Sequence, residues 1–76
     1  NNLGIVLQER GQHAKAVAEF GEAVRLDPAY PAPRILLGAS LLALGRVSEA
    51  RASLERAVKL APREPLARLQ LAKVLE

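Results

Sequence analysis

PAPRILLGASLLALGRVSEARASLERAVKLAPRE, residues 31–64, is the one complete copy of a unit that the chain carries in part on either side. A shift of 34 positions aligns Leu3, Gly4 and Leu7 with Leu37, Gly38 and Leu41, and these in turn with Leu71, Ala72 and Leu75. The same shift aligns Gly11 with Gly45, Ala16 with Ala50, Ala23 with Ala57, Val24 with Val58, Leu26 with Leu60 and Pro28 with Pro62. Pro31 and Arg34 return as Pro65 and Arg68. An internal period of this length marks a stacked array, in which each unit buries its apolar face against its neighbours. The chain therefore reads as a solenoid fragment.

The pattern inside the unit is more specific. Arg34-x-x-Leu37-Gly38-x-x-Leu41, followed by Ala50-x-x-x-Leu54, Ala57 and Pro62, resembles the tetratricopeptide repeat signature. The preceding copy supplies Leu3-Gly4-x-x-Leu7, Ala16-x-x-x-Phe20, Ala23 and Pro28. The resemblance spans essentially the whole chain, with two departures. Arg34 and Arg68 stand where the family usually has tryptophan, and Leu7, Leu41 and Leu75 stand where it usually has tyrosine. It implies that the fold class is all-α, an α-solenoid of antiparallel helix pairs, with about two and a quarter units in a single array fragment. Residues 1–30 would be an N-terminally truncated first repeat, 31–64 a complete one, and 65–76 the first helix of a third. The chain begins inside a repeat, so a longer parent is expected.

Apolar spacing predicts five helices, near residues 1–10, 14–27, 32–44, 48–61 and 66–75. Gly11 and Gly45 are expected just past helix ends, in the left-handed conformation that glycine adopts there. Pro31 and Pro33 suit the opening of the third helix, where no backbone donor is needed, and Ser48 reads as the N-cap of the fourth. The segment RILLGASLLALG, residues 34–45, is apolar nearly all round and is expected to be buried on several sides. Gly4 and Gly38 on first helices, with Ala16 and Ala50 on second helices, allow close helix approach, and Phe20 and Leu54 fill the space beside them. Gly21 reads as a tolerated surface glycine in mid-helix.

Composition excludes several classes of function. In 76 residues, 50% are apolar but only 3% aromatic, so the core is aliphatic and little is available for stacking on bases or sugars. There are no cysteines, hence no disulfides and no thiolate metal ligands. No run reaches the roughly 18 apolar residues of a membrane helix, so membrane insertion is not expected. A soluble protein is expected, with the cytoplasm the favoured compartment. The net charge of +3 comes from 11 basic and 8 acidic residues interspersed along the chain. Lys15 and Glu19, Arg51 and Glu55, and Glu55 and Lys59 are spaced for pairing along a helix. This is the pattern of a solvated helix face, so no nucleic-acid partner is expected.

No catalytic constellation, cofactor motif or metal-ligand set is present. His13 is the only histidine, and Tyr30, in the DPAYPAP connector, reads as a local packing residue. The resemblance implies that first helices line a concave face. That face would comprise Asn1, Asn2, Ile5, Gln8 and Glu9; then Ala32, Ile35, Leu36, Ala39, Leu42 and Ala43; then Leu66, Leu69, Gln70 and Lys73, with Ile35 and Leu42 exposed in the groove. Family members that hold chaperone C-terminal carboxylates place lysine, asparagine and arginine there. This chain has mostly Ile35, Leu36, Ala39, Leu66, Leu69 and Gln70, so that function is not expected. The expected function is a non-catalytic protein-interaction scaffold that binds a peptide or helix with an apolar or amphipathic segment. One alternative is a structural spacer or self-assembly segment, with association through the groove or through the cut end, where Leu71, Val74 and Leu75 would lack cover. An RNA-binding helical repeat would need polar side chains where Ile35, Ala39 and Leu42 stand.

Overall fold

The computed structural model describes residues 2–75, and among these the chain forms five helices and no strand. They are α1 (Asn2–Glu9), α2 (His13–Leu26), α3 (Pro31–Ala43), α4 (Val47–Leu60) and α5 (Pro65–Leu75). The boundaries repeat at the sequence period: α1 and α3 end 34 residues apart, α2 and α4 start and end 34 apart, and α3 and α5 start 34 apart.

The turns repeat as closely as the helices. Gly11 and Gly45 lie at φ 77° and 80°. At the first turn, Gly11 N–H donates to the Gln8 carbonyl at 3.1 Å and Gln12 N–H to the Leu7 carbonyl at 2.8 Å. At the second, Gly45 donates to Leu42 at 3.0 Å and Arg46 to Leu41 at 2.9 Å. Both are complete Schellman caps, which satisfy the last helical carbonyls and require a residue with positive φ. The left-handed glycines expected from the sequence are therefore present.

Four of the five helices begin one residue earlier than the apolar spacing suggests. Pro31 opens α3 and Pro65 opens α5. The expected N-cap role of Ser48 is corrected: α4 starts at Val47, its N-cap residue is Arg46, and no side chain caps it. The reason is the glycine turn itself. Once Arg46 N–H has closed back on Leu41, its own carbonyl accepts the first helical bond from Ala50 at 2.9 Å. Ser48 is then already inside the first turn, where its hydroxyl cannot serve as a cap.

Each helix packs on the next in sequence, and α3 also touches α5. Three-residue turns fold α1 onto α2 and α3 onto α4 as hairpins. Phe20 and Leu54, both fully buried, occupy the spaces opposite Gly4 and Gly38. A methyl group built on Gly4 would lie 2.5 Å from Phe20 Cε1, and one on Gly38 would lie 2.5 Å from Leu54 Cγ. No side chain fits there, so the glycines set how near the paired helices come. Ala16, Ala50, Ala57 and Ala67 complete the core at 0% exposure. Burying a leucine such as Leu54 stabilises by about 1.5–3 kcal/mol relative to leaving it in water.

α3 is the most enclosed element, with Pro33, Ile35, Gly38, Ser40 and Leu41 all buried. Neighbours on several sides meet the expectation from its apolar sequence. Three polar bonds fasten it: Ser53 Oγ of α4 donates to the Arg34 carbonyl at 2.9 Å, and Gln8 Nε2 of α1 donates to the Leu36 carbonyl at 3.1 Å and to Ser40 Oγ at 2.8 Å. Of the three surface charge pairs expected, Arg51–Glu55 forms at 3.3 Å. Lys15–Glu19 and Glu55–Lys59 do not form among the described residues. A methyl at Gly21 would meet no atom within 4 Å, in keeping with a tolerated surface glycine.

Candidate functional site

The connector that ends in Tyr30 and the one that ends in Glu64 occupy equivalent places, 34 residues apart, and both open onto one pocket. Tyr30 has φ −83° and ψ 115°. This is the extended conformation favoured in a residue before proline. Pro31 then starts the helix, and Ala32, Ile35 and Leu36 follow along one face of it. From α5 the pocket receives Leu66, and from the connector before it Glu64. Glu64 Oε1 accepts the Leu66 N–H at 3.3 Å, which caps the start of α5 and holds the carboxylate at the pocket mouth. The volume is about 300 Å³.

Four of the residues expected on the concave face, Ala32, Ile35, Leu36 and Leu66, are brought together here. Ile35 corrects an expectation, because it is 4% exposed and belongs to a core cluster with Leu54, Ala57 and Ala67. Ala67 has almost no side chain, so α5 settles close to α3 and covers Ile35, which forms the floor of the pocket. Leu42, also expected to be exposed, is half-buried. Gln8 is half-buried with its amide spent on Leu36 and Ser40 of α3, so it joins helices. Ile5, Glu9, Ala43, Leu69 and Lys73 are exposed, while Ala39 and Gln70 are half-buried. None of these lines the pocket. Asn1 and the side chain of Asn2 lie outside the described residues. On α5, Leu71 and Val74 pack against the core cluster instead of lying bare, and Leu75 is 59% exposed.

Sequence reasoning missed Tyr30, Pro31 and Glu64 as site residues. The available signal was that the chain's only tyrosine stands immediately before a helix-opening proline; it is 50% exposed and lines the pocket. Two further arginines frame the site without entering it. Arg34 Nε donates to the Pro28 carbonyl at 3.3 Å, and Arg68 Nη2 donates to the Pro62 carbonyl. At the tryptophan position of each repeat, an arginine thus reaches back and ties the helix opening to the proline turn before it.

Chemically, the pocket offers aliphatic walls, an aromatic face and one carboxylate. Among the described residues there is no group of three or more His, Cys, Asp or Glu side chains placed to hold a metal ion. No helix there is long and apolar enough to cross a membrane.

Stacked helix hairpins with a shallow apolar pocket between equivalent helices define a helical-repeat protein. The tetratricopeptide repeat family model matches residues 7–74, and the chain belongs to that family. No curated protein matches it. Members of the family are in general non-catalytic protein-interaction repeats.

Proposed function

We propose that the chain is a non-catalytic scaffold that binds an amphipathic segment of a partner protein along α3 and α5, within an array whose complete unit is residues 31–64. The observation that supports this best is the pocket of about 300 Å³ between the openings of these helices. Its walls are apolar, and it opens beside Leu66 and Leu69, which are 42% and 53% exposed. A helix laid into such a groove anchors itself by side chains spaced three and four residues apart. By the family resemblance the same face would continue onto Ile5 and Glu9 of α1 and onto Ala39, Leu42, Ala43, Gln70 and Lys73, while Gln8 is held between the helices.

The test is an NMR titration of the intact chain with a designed amphipathic peptide of about 14 residues carrying one leucine stripe. Shifts should concentrate at Ala32, Ile35, Leu36 and Leu66, and Leu66→Lys should weaken binding about tenfold without changing the unfolding midpoint. Shifts confined to α2 and α4, or none at millimolar peptide, would overturn the reading.

The exposed leucines of α5 support a second use of the same surface, contact between copies of the chain. Sedimentation at tens of micromolar should then show association that Leu69→Lys with Leu75→Lys abolishes; a monomer under those conditions removes this reading.

A further inference from the structure

We propose that the pocket selects an aliphatic side chain carried next to a basic one, so that the partner segment presents a pair such as Leu-Lys or Val-Arg to Glu64 and Tyr30. This rests on the reading that the α3–α5 face binds a peptide, and it names which peptide.

Size comes first. About 300 Å³ is at the lower limit of small-molecule sites. The side chains of Pro31, Ala32, Ile35, Leu36 and Leu66 are purely hydrocarbon, so the lining favours an aliphatic side chain.

Charge at the mouth decides the rest. Glu64 is the only charged residue lining the pocket, although the chain as a whole carries +3. Its Oε1 is engaged with the Leu66 N–H, whereas its other oxygen has no hydrogen bond or ion pair among the described residues. None of the ion pairs among the described residues involves Glu64, and Arg68, four residues on along α5, donates to the carbonyl of Pro62. An acidic ligand finds little in return at the opening of α5, where Pro65 lacks the N–H that a helix start would otherwise present and Glu64 already uses the donor of Leu66. Tyr30 stands at the mouth with half its surface in water and no hydrogen bond to its hydroxyl among the described residues. Its ring face attracts a cation, and its oxygen can accept a hydrogen bond from one. Carboxylate and aromatic ring therefore favour the same sign of charge, one side chain beyond the apolar anchor.

Three capped dipeptides, acetyl-Leu-Lys-amide, acetyl-Leu-Glu-amide and acetyl-Ala-Lys-amide, separate the two requirements in NMR titrations of the intact chain. Leu-Lys should bind about three- to fivefold tighter than Leu-Glu, the range of an exposed charge pair, and Ala-Lys should be the weakest. Glu64→Gln keeps an acceptor for the Leu66 N–H and should abolish the lysine preference, while Glu64→Lys should reverse it. Equal affinity for Leu-Lys and Leu-Glu, with leucine still required, overturns the selectivity and leaves peptide binding intact. Absence of shifts at Ala32, Ile35 and Leu66 with all three dipeptides also overturns it. In that case the amphipathic peptide shows whether the broader reading falls as well.

Discussion

Gln8 Nε2 on α1 donates to Ser40 Oγ on α3 at 2.8 Å, and 34 residues further on the same two positions hold Leu42 and Val74. The first join between equivalent helices is therefore a part-buried polar bond, while the equivalent positions of the next pair carry apolar side chains. Ser40 is 0% exposed, whereas Val74 packs against the cluster of Ile35, Leu54, Ala57 and Ala67. Two repeats with matching backbones are thus joined by different chemistry.

Removing one partner of the polar join leaves the other buried and unpaired, which costs about 1–3 kcal/mol. Gln8→Ala should lower stability in urea unfolding by that amount. Gln8→Leu with Ser40→Val copies the second join and should recover most of the loss. If Gln8→Ala unfolds at the wild-type urea concentration, the bond is not important to stability.

The helical glycines should respond in opposite directions. Alanine is the better helix former by about 1 kcal/mol, yet Gly38→Ala places a methyl 2.5 Å from the immobile Leu54. The clash should win, with a net loss of about 1–3 kcal/mol, and Gly4→Ala should behave alike against Phe20. Gly21→Ala meets open space and should gain about 0.5–1 kcal/mol. Denaturant titration of the three variants checks the signs; a stabilised Gly38→Ala would mean that the hairpins separate more easily than this packing allows.

At the turns the cost should come from the backbone alone. A methyl on Gly45 has no neighbour within 4 Å, but φ is +80°. Gly45→Ala should therefore lose about 1–2 kcal/mol, and Gly45→Asn less, since asparagine tolerates the left-handed region. Equal stability for Ala and Asn would refute the conformational explanation.

A charge pair supplies a pH dependence of known sign. The Arg25 guanidinium, chiefly through its hydrogen bond and then through its charge, holds the Glu22 carboxyl below its ordinary 4.5, and Glu22 raises Arg25 above its ordinary value. The stabilisation from Glu22 is complete above its unfolded value near 4.5 and is lost as pH falls through the lower folded one. The raised Arg25 reflects the same interaction and falls away with it when Glu22 is protonated. Both side chains are exposed, so the effect is small and screened by salt. At low ionic strength Glu22→Gln should melt slightly earlier than wild type at about pH 7 and together with it at about pH 2. A difference that persists in acid would point to another cause.

What the sequence determined by itself is what neighbouring residues decide among themselves. The 34-residue period, the order of five helices, the glycines at the turns and the prolines at the openings depend on local backbone geometry, which a few consecutive residues impose. The close approach at Gly4 and Gly38 was legible too, because the small residues recur in register with Phe20 and Leu54.

Only the tertiary structure decided which apolar residues face a partner and which face the core. Ile35 and Leu36 look interchangeable in sequence, yet Ala67 lets α5 descend onto Ile35. Gln8 reads as a groove residue until Ser40, 32 positions away, proves to lie within its reach. Arg34 and Arg68 turn onto the carbonyls of Pro28 and Pro62, an arrangement set by the angle of each connector. That same angle brings Tyr30 and Glu64 to one pocket. Such contacts join residues from separate helices, and their geometry follows from how close the helices come, a quantity fixed by packing and invisible to periodicity.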